Sequence, residues 1–64
     1  MNRKEIAMTY TATLTILSPI AGEYLYPIES YSLDSLARRV MGAVEGVTSV
    51  GAVVKALTYE EVPA

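Results

Sequence analysis

The side chains that could carry chemistry in this sequence are seven carboxylates, and no histidine or cysteine accompanies them. Without an imidazole or a thiol, the chain lacks the base of serine–histidine and cysteine–histidine catalysis and the usual ligands of zinc, copper and iron. Glu23 and Glu29 share one face of a predicted strand but lie about 20 Å apart, too far to work as an acid and base pair. We therefore expect no enzyme activity, no catalytic residues, no metal and no cofactor.

The composition restricts the partners of the protein. The 64 residues carry a net charge of -2 and are 52% hydrophobic, which predicts a folded domain without a basic stripe. We expect no direct nucleic-acid binding and, because no run of 18 apolar residues occurs, no membrane span. The Arg3-Lys4 pair before the apolar stretch 12–21 resembles a signal peptide, but Glu5 and Pro19 disfavour cleavage at Ala21. We therefore expect a cytoplasmic protein.

Alternating side chains predict two strands in the first half of the chain. From Met8 to Leu17 apolar residues alternate with threonines, which is typical of a half-buried strand. A proline and a glycine within 18–22 predict a hairpin loop, and a second strand is predicted over 23–31. Pro27 cannot donate a ladder hydrogen bond, so the second strand should lie at an edge of the sheet.

A helix and a third strand are predicted in the second half of the chain. Ser32 is the expected N-cap, and six apolar residues after it recur at the spacing of one helical face. They are Leu33, Leu36, Ala37, Val40, Met41 and Val44. Gly46 is the expected left-handed C-terminal cap. A third strand is predicted from Val47 to about Tyr59, while residues 1–7 and 60–64 are expected to fray.

The order of these elements predicts a single α+β domain over residues 1–64. The hairpin places strand 2 beside strand 1, and a right-handed crossover through the helix places strand 3 on the other side of strand 1. The expected fold is therefore ββαβ, a three-stranded antiparallel sheet of order 2-1-3 with one helix packed on one face.

One helix cannot cover both faces of this sheet, so we expect an exposed binding surface. The threonine row of strand 1 is predicted to lie on the uncovered face, flanked on strand 3 by Val53, Leu57 and Tyr59. On strand 2 it is flanked either by the tyrosine row or by Leu25. An uncharged surface of this extent is typical of an interface. We expect it to join two copies in a homodimer or to bind a foreign protein. For the homodimer, both face-to-face packing and edge pairing through strand 3 are consistent with the sequence.

Two families of small phage inhibitors share this order of elements. Pro27-Ile28, Ser32-Leu33-Asp34 and Val47-Thr48-Ser49-Val50 resemble, in type and order, motifs of the podovirus inhibitors of bacterial RNA polymerase. The resemblance implies a protein that contacts the jaw of the polymerase. Those inhibitors carry functional arginines on the last strand, where Lys55 is the only basic residue of this chain.

The stretch from Tyr10 to Leu36 also resembles the small uracil-DNA glycosylase inhibitors of Bacillus phages. The matching residues fall at similar spacings without gaps. They are Tyr10, Thr13, Tyr24, Ser32 and Leu33. Glu29-Ser30 before the helix is similar to a glutamate-serine-isoleucine element of other glycosylase inhibitors. The resemblance implies DNA mimicry in which Glu29 stands in for a phosphate, while Leu36 and Val40 form an apolar pocket for a leucine of the enzyme.

These resemblances predict a non-enzymatic protein-binding module that occludes a host nucleic-acid enzyme in the host cytoplasm. Uracil-DNA glycosylase is the first expected target and bacterial RNA polymerase the second. A structural or regulatory homodimer of the antitoxin type is a third alternative. The helix of small double-stranded-RNA-binding-like antitoxins begins with a cap similar to that of this chain.

Overall fold

The computed structural model describes residues 8–63, which form three strands and one helix. In chain order they are β1 (Met8–Ser18), β2 (Gly22–Ser30), α1 (Leu33–Ser49) and β3 (Val53–Pro63). The strands form one antiparallel sheet in the order β2-β1-β3, with α1 packed on one face. The predicted ββαβ fold of the α+β class is confirmed.

β1 and β2 form the predicted hairpin. The Ser18 hydroxyl accepts hydrogen bonds from the amides of Ile20 and Ala21, at 3.1 and 3.0 Å, which stabilises the tight turn between the strands. Pro27 lies opposite Thr13 on β2, which is an edge strand as predicted. An edge strand tolerates proline because the missing donor faces away from the ladder.

The helix begins where the sequence predicts and ends later. Ser32 is the N-cap, and its hydroxyl accepts a hydrogen bond from the amide of Ser35 at 3.1 Å. The prediction that Gly46 caps the C-terminus is wrong, because α1 continues to Ser49. Gly46 therefore lies inside the helix, where a glycine costs about 1 kcal/mol relative to alanine. Val47 extends the apolar stripe and packs against the core, and this contact outweighs that cost.

Gly51 is the residue that ends the helix in the left-handed conformation, with φ of +89°. The amide of Ala52 donates to the carbonyl of Val47 at 3.0 Å, and the amide of Gly51 donates to the carbonyl of Thr48 at 3.1 Å. These two hydrogen bonds define a Schellman motif. The third strand therefore begins at Val53 rather than at Val47.

The C-terminal end of β3 is ordered in the sheet. Residues 60–63 pair with residues 8–11 of β1, so the prediction that this segment frays is wrong. Pairing with the first residues of the central strand supplies the ladder hydrogen bonds that a free tail would lack. Residues 1–7 and Ala64, also predicted to fray, lie outside the described residues.

The core lies between α1 and the central strand. Its buried apolar side chains are Ala12, Leu14, Ile16, Ile28, Leu36 and Ala52. The helical stripe that packs against them is centred on Leu36, Val40 and Val47. Leu33 and Met41, which the periodicity included in the stripe, lie at its margin and remain exposed.

A β-bulge changes which side chains of β3 face the helix. Thr15 pairs with Ala56 but Ile16 pairs with Val54, so Lys55 is an extra residue in the ladder. A bulge of this kind shifts the alternation of side chains by one residue. The prediction that Leu57 and Tyr59 lie on the uncovered face is therefore wrong. They lie on the helix side, opposite Leu14 and Ala12 of β1.

Candidate protein-binding surfaces

An apolar groove runs between α1 and β3 and is called here the helix–β3 groove. Its volume is about 370 Å³, and the described residues that line it carry no charge. They are Ala12, Leu33, Leu36, Ala37, Val40, Met41, Leu57 and Tyr59. The groove therefore joins four residues that the sequence assigned to two separate sites, Leu36 and Val40 to a partner pocket and Leu57 and Tyr59 to an interface.

The groove is a shallow, open depression lined by both small and large side chains. Ala12 on β1 and Ala37 on α1 leave room above the sheet, while Leu57 and Tyr59 form the wall on β3. Leu36 is only 4% exposed and lies at the base. A concave, uncharged surface of this kind accepts apolar side chains, because their burial removes apolar area from water on both sides.

Tyr59 closes one side of the groove with a fixed phenol group. Its hydroxyl donates a hydrogen bond to Oε2 of Glu61 at 2.8 Å. Desolvation, followed by this hydrogen bond and the nearby negative charge of Glu61, raises the pKa of Tyr59 to about 12. The ring therefore stays neutral at all pH values at which proteins normally work, which suits a residue on an apolar wall.

The raised pKa of Tyr59 predicts a late step in alkaline titration. The absorbance of tyrosinate should show a component near pH 12 in the wild type, which disappears in Tyr59→Phe. In Glu61→Gln this component should shift toward the ordinary value of 10.0, because the hydrogen bond to a carboxylate and its charge are lost.

The same pKa also predicts how stability depends on pH. The neutral Tyr59 hydroxyl contributes fully to stability below about pH 10. This contribution is lost as the pH rises toward 12, because only the unfolded state releases the phenol proton in this interval. A stability that falls equally between about pH 10 and 12 in the wild type and in Tyr59→Phe would contradict this dependence.

A second surface lies at the opposite edge of the sheet and is called here the tyrosine edge. It comprises Tyr24, Tyr26, Glu29, Tyr31 and Arg39, all of which are exposed. Tyr26, Glu29 and Arg39 line a cavity of about 440 Å³ between β2 and α1. Glu29, Tyr31 and Arg39 line a smaller one of about 180 Å³ at the end of β2.

The register of the hairpin and the helix position these groups. Tyr24 and Tyr26 lie opposite Ile16 and Leu14, on the helix side of the sheet, while Glu29 lies opposite Thr11 on the other side. Arg39 reaches the same region from α1. The tyrosine edge was not recognised as a site in the sequence. The signal that could have found it is the Tyr24–Tyr26 alternation beside Pro27, which marks the edge strand.

The residues of the predicted glycosylase-binding site do not lie together. Glu29 belongs to the tyrosine edge, whereas Leu36 and Val40 line the helix–β3 groove on the other side of α1. Val53, predicted as an interface residue, lies opposite Leu17 on the uncovered face and is exposed.

The uncovered face also carries charge. Nζ of Lys55 lies 2.8 Å from Oε1 of Glu23, so a salt bridge links β3 to β2 across the central strand. Both side chains are about half exposed, and exposed pairs of this kind contribute little to stability. Burial of the pair in a face-to-face dimer would, however, cost the hydration of both ions.

Residues 8–63 contain no candidate metal site, because no group of three histidine, cysteine, aspartate or glutamate side chains converges among them in a way that could hold an ion. No helix formed by these residues has both the length and the apolar character needed to cross a bilayer.

The fold and its surfaces define a small ββαβ domain with two concave surfaces, one on each side of its helix. No protein-family model, curated protein or solved structure matches this chain.

Proposed function

We propose that this protein is a non-enzymatic protein-binding module that inhibits a host nucleic-acid enzyme through its tyrosine edge. The observation that carries the proposal is the gathering of two exposed tyrosines, Tyr26 and Tyr31, with Arg39 and Glu29 around two adjoining cavities. Tyrosine and arginine are the side chains most often found at energetic hot spots of protein interfaces, because each combines a large contact area with a polar group.

Uracil-DNA glycosylase is the first target in this proposal. Glu29 takes the place of a DNA phosphate in the cationic cleft of the enzyme, and the adjoining tyrosines supply contact area around it. The resemblance of residues 10–36 to glycosylase inhibitors supports this target. The inhibitor acts in the host cytoplasm as a homodimer and contacts neither nucleic acid nor membrane directly.

The decisive experiment measures uracil excision at micromolar inhibitor. The wild type should slow excision, and Glu29→Lys should weaken binding by roughly 2–5 kcal/mol, because a charge that faces a cationic cleft is reversed. Glu45→Lys is the matched control, since it makes the same charge change at an exposed helical position that lines neither concave surface. Its inhibition should remain close to that of the wild type.

A wild type that leaves uracil excision unchanged would remove the glycosylase as the target. The same samples should then be tested in transcription by bacterial RNA polymerase, the second candidate, which the motifs around Pro27 and Leu33 favour. Tyr26→Ala reports on the surface itself, because it removes an exposed ring from the tyrosine edge whichever enzyme is bound. Inhibition that is unaffected by both Glu29→Lys and Tyr26→Ala would assign binding to another surface.

A further inference from the structure

The two edges of the sheet differ in their capacity to pair with another strand. β2 carries Pro27 in its middle, and proline interrupts pairing because it has no amide hydrogen. β3 has eleven residues and its proline is the last of them. Within the part of the chain that the structure describes, no strand pairs with the outer side of β3. The bulge at Lys55 and Pro63 lie toward the two ends of β3, so the stretch 56–62 between them is a regular edge and a template for a further strand.

The helix–β3 groove lies directly above this unpaired edge. Leu33, Met41, Leu57 and Tyr59 surround it and keep between 47% and 65% of their surface exposed. Together they leave roughly 450 Å² of largely apolar surface per subunit in contact with water. Two such surfaces and two strand edges reach a total of roughly 1,000–1,500 Å², which extends into the lower part of the range of specific, stable interfaces.

We infer that two copies of this chain associate by antiparallel pairing of their β3 edges, so that each copy closes the helix–β3 groove of the other. The result is a continuous six-stranded sheet with both helices on the same face. The inference specifies the homodimer of the proposed function but does not depend on its target enzyme, because the tyrosine edge lies on the opposite side of each subunit.

The sequence of β3 favours one register for this pairing. A two-fold axis at Thr58 places Leu57 opposite Tyr59 of the partner subunit, and both residues lie on the helix side. Apolar and aromatic side chains then meet across the interface, as cross-strand pairs do within a sheet. An axis at Glu60 would instead place two carboxylates opposite each other. The register centred on Thr58 brings together no like charges.

The small core gives a physical reason for association. Only six apolar side chains are buried among the described residues, and the sequence contains no cysteine for a disulfide. Domains of this size commonly gain the missing stability by oligomerisation. Closing the groove would bury four further large side chains in each subunit.

Light scattering over a concentration series tests the association. The wild type should have twice the monomer mass at 100 μM, and Leu57→Lys should raise the dissociation constant by roughly 100-fold or more, because a charge enters an apolar interface. Met41→Lys should act in the same direction from the exposed rim of the groove, which keeps the test valid if Leu57→Lys fails to fold. Val53→Lys is the matched control on the same strand and should change the constant by less than about 3-fold.

Cysteine substitution tests the register, because the chain has no cysteine of its own. Thr58→Cys should form a disulfide-linked dimer on mild oxidation, since residues on the two-fold axis face each other at about 5 Å. Glu60→Cys should not, because its two copies would lie roughly 13 Å apart. A monomeric wild type at 100 μM would overturn the inference. So would a dimer that Val53→Lys disrupts and Leu57→Lys does not, which would assign the contact to the uncovered face.

Discussion

Leu14→Ala is expected to lower the free energy of unfolding by about 3–5 kcal/mol, the largest effect of any single truncation in this chain. Leu14 is 0% exposed and lies at the centre of the core, between the helix and both neighbours of the central strand. A domain of this length has a total stability of about 3–10 kcal/mol. The variant should therefore lose a third or more of the stability of the protein.

Leu25→Ala is the matched control for this prediction. The same side chain is truncated in the same way, but Leu25 is 66% exposed on the uncovered face of β2, opposite Thr15. We expect it to cost less than about 1 kcal/mol. Urea denaturation followed by circular dichroism, at equal protein concentrations, measures both values. Equal losses of stability would show that the two faces of the sheet are assigned wrongly.

Gly51→Ala is expected to destabilise the protein by about 1–2 kcal/mol, the second large effect. Gly51 adopts a φ of +89° in the Schellman motif, where a side chain is strained. The strain would act on the two hydrogen bonds that cap the C-terminus of α1, from the amides of Gly51 and Ala52. A lower thermal midpoint with an unchanged circular-dichroism spectrum would be the expected result.

Gly42→Ala should have the opposite sign, with a gain of up to about 1 kcal/mol, because alanine restricts the unfolded chain and is a better helix former. A Cβ atom at this position would meet no heavy atom within 4 Å. The glycine is therefore not needed for a close approach of the helix to the sheet. If Gly42→Ala and Gly51→Ala shifted the midpoint in the same direction, the positions of the two glycines in α1 and its cap would be in doubt.

Much of the fold was predictable because it depends on local patterns in the amino-acid sequence. The alternation from Met8 to Leu17 predicts a strand buried on one face, and Pro27 predicts an edge strand. Ser32 predicts the start of the helix, since its hydroxyl can bond an amide of the first turn whatever the tertiary structure. The order of the elements and the right-handed crossover then leave one simple topology, which is the one observed.

The candidate sites were predictable only in part. Leu36, Val40, Leu57 and Tyr59 were each identified as residues of a binding surface, but their placement in one groove was not. It depends on the bulge at Lys55, which exchanges the faces of all residues after it. Nothing within β3 marks the position of that bulge, because it arises from the fit of β3 against β1, a strand far away in the sequence.

The amino-acid sequence by itself determined the class of fold, the order of the strands and the beginning of the helix. Each of these depends on neighbours a few residues apart. Tertiary structure decided where the helix ends and which face of β3 meets it. Val47 stays helical because it packs against the core, and Leu57 turns toward the helix because Ala52 and Val54 fix the register on the other side of the bulge. Both outcomes are set by contacts between distant segments, and local periodicity carries no information about them.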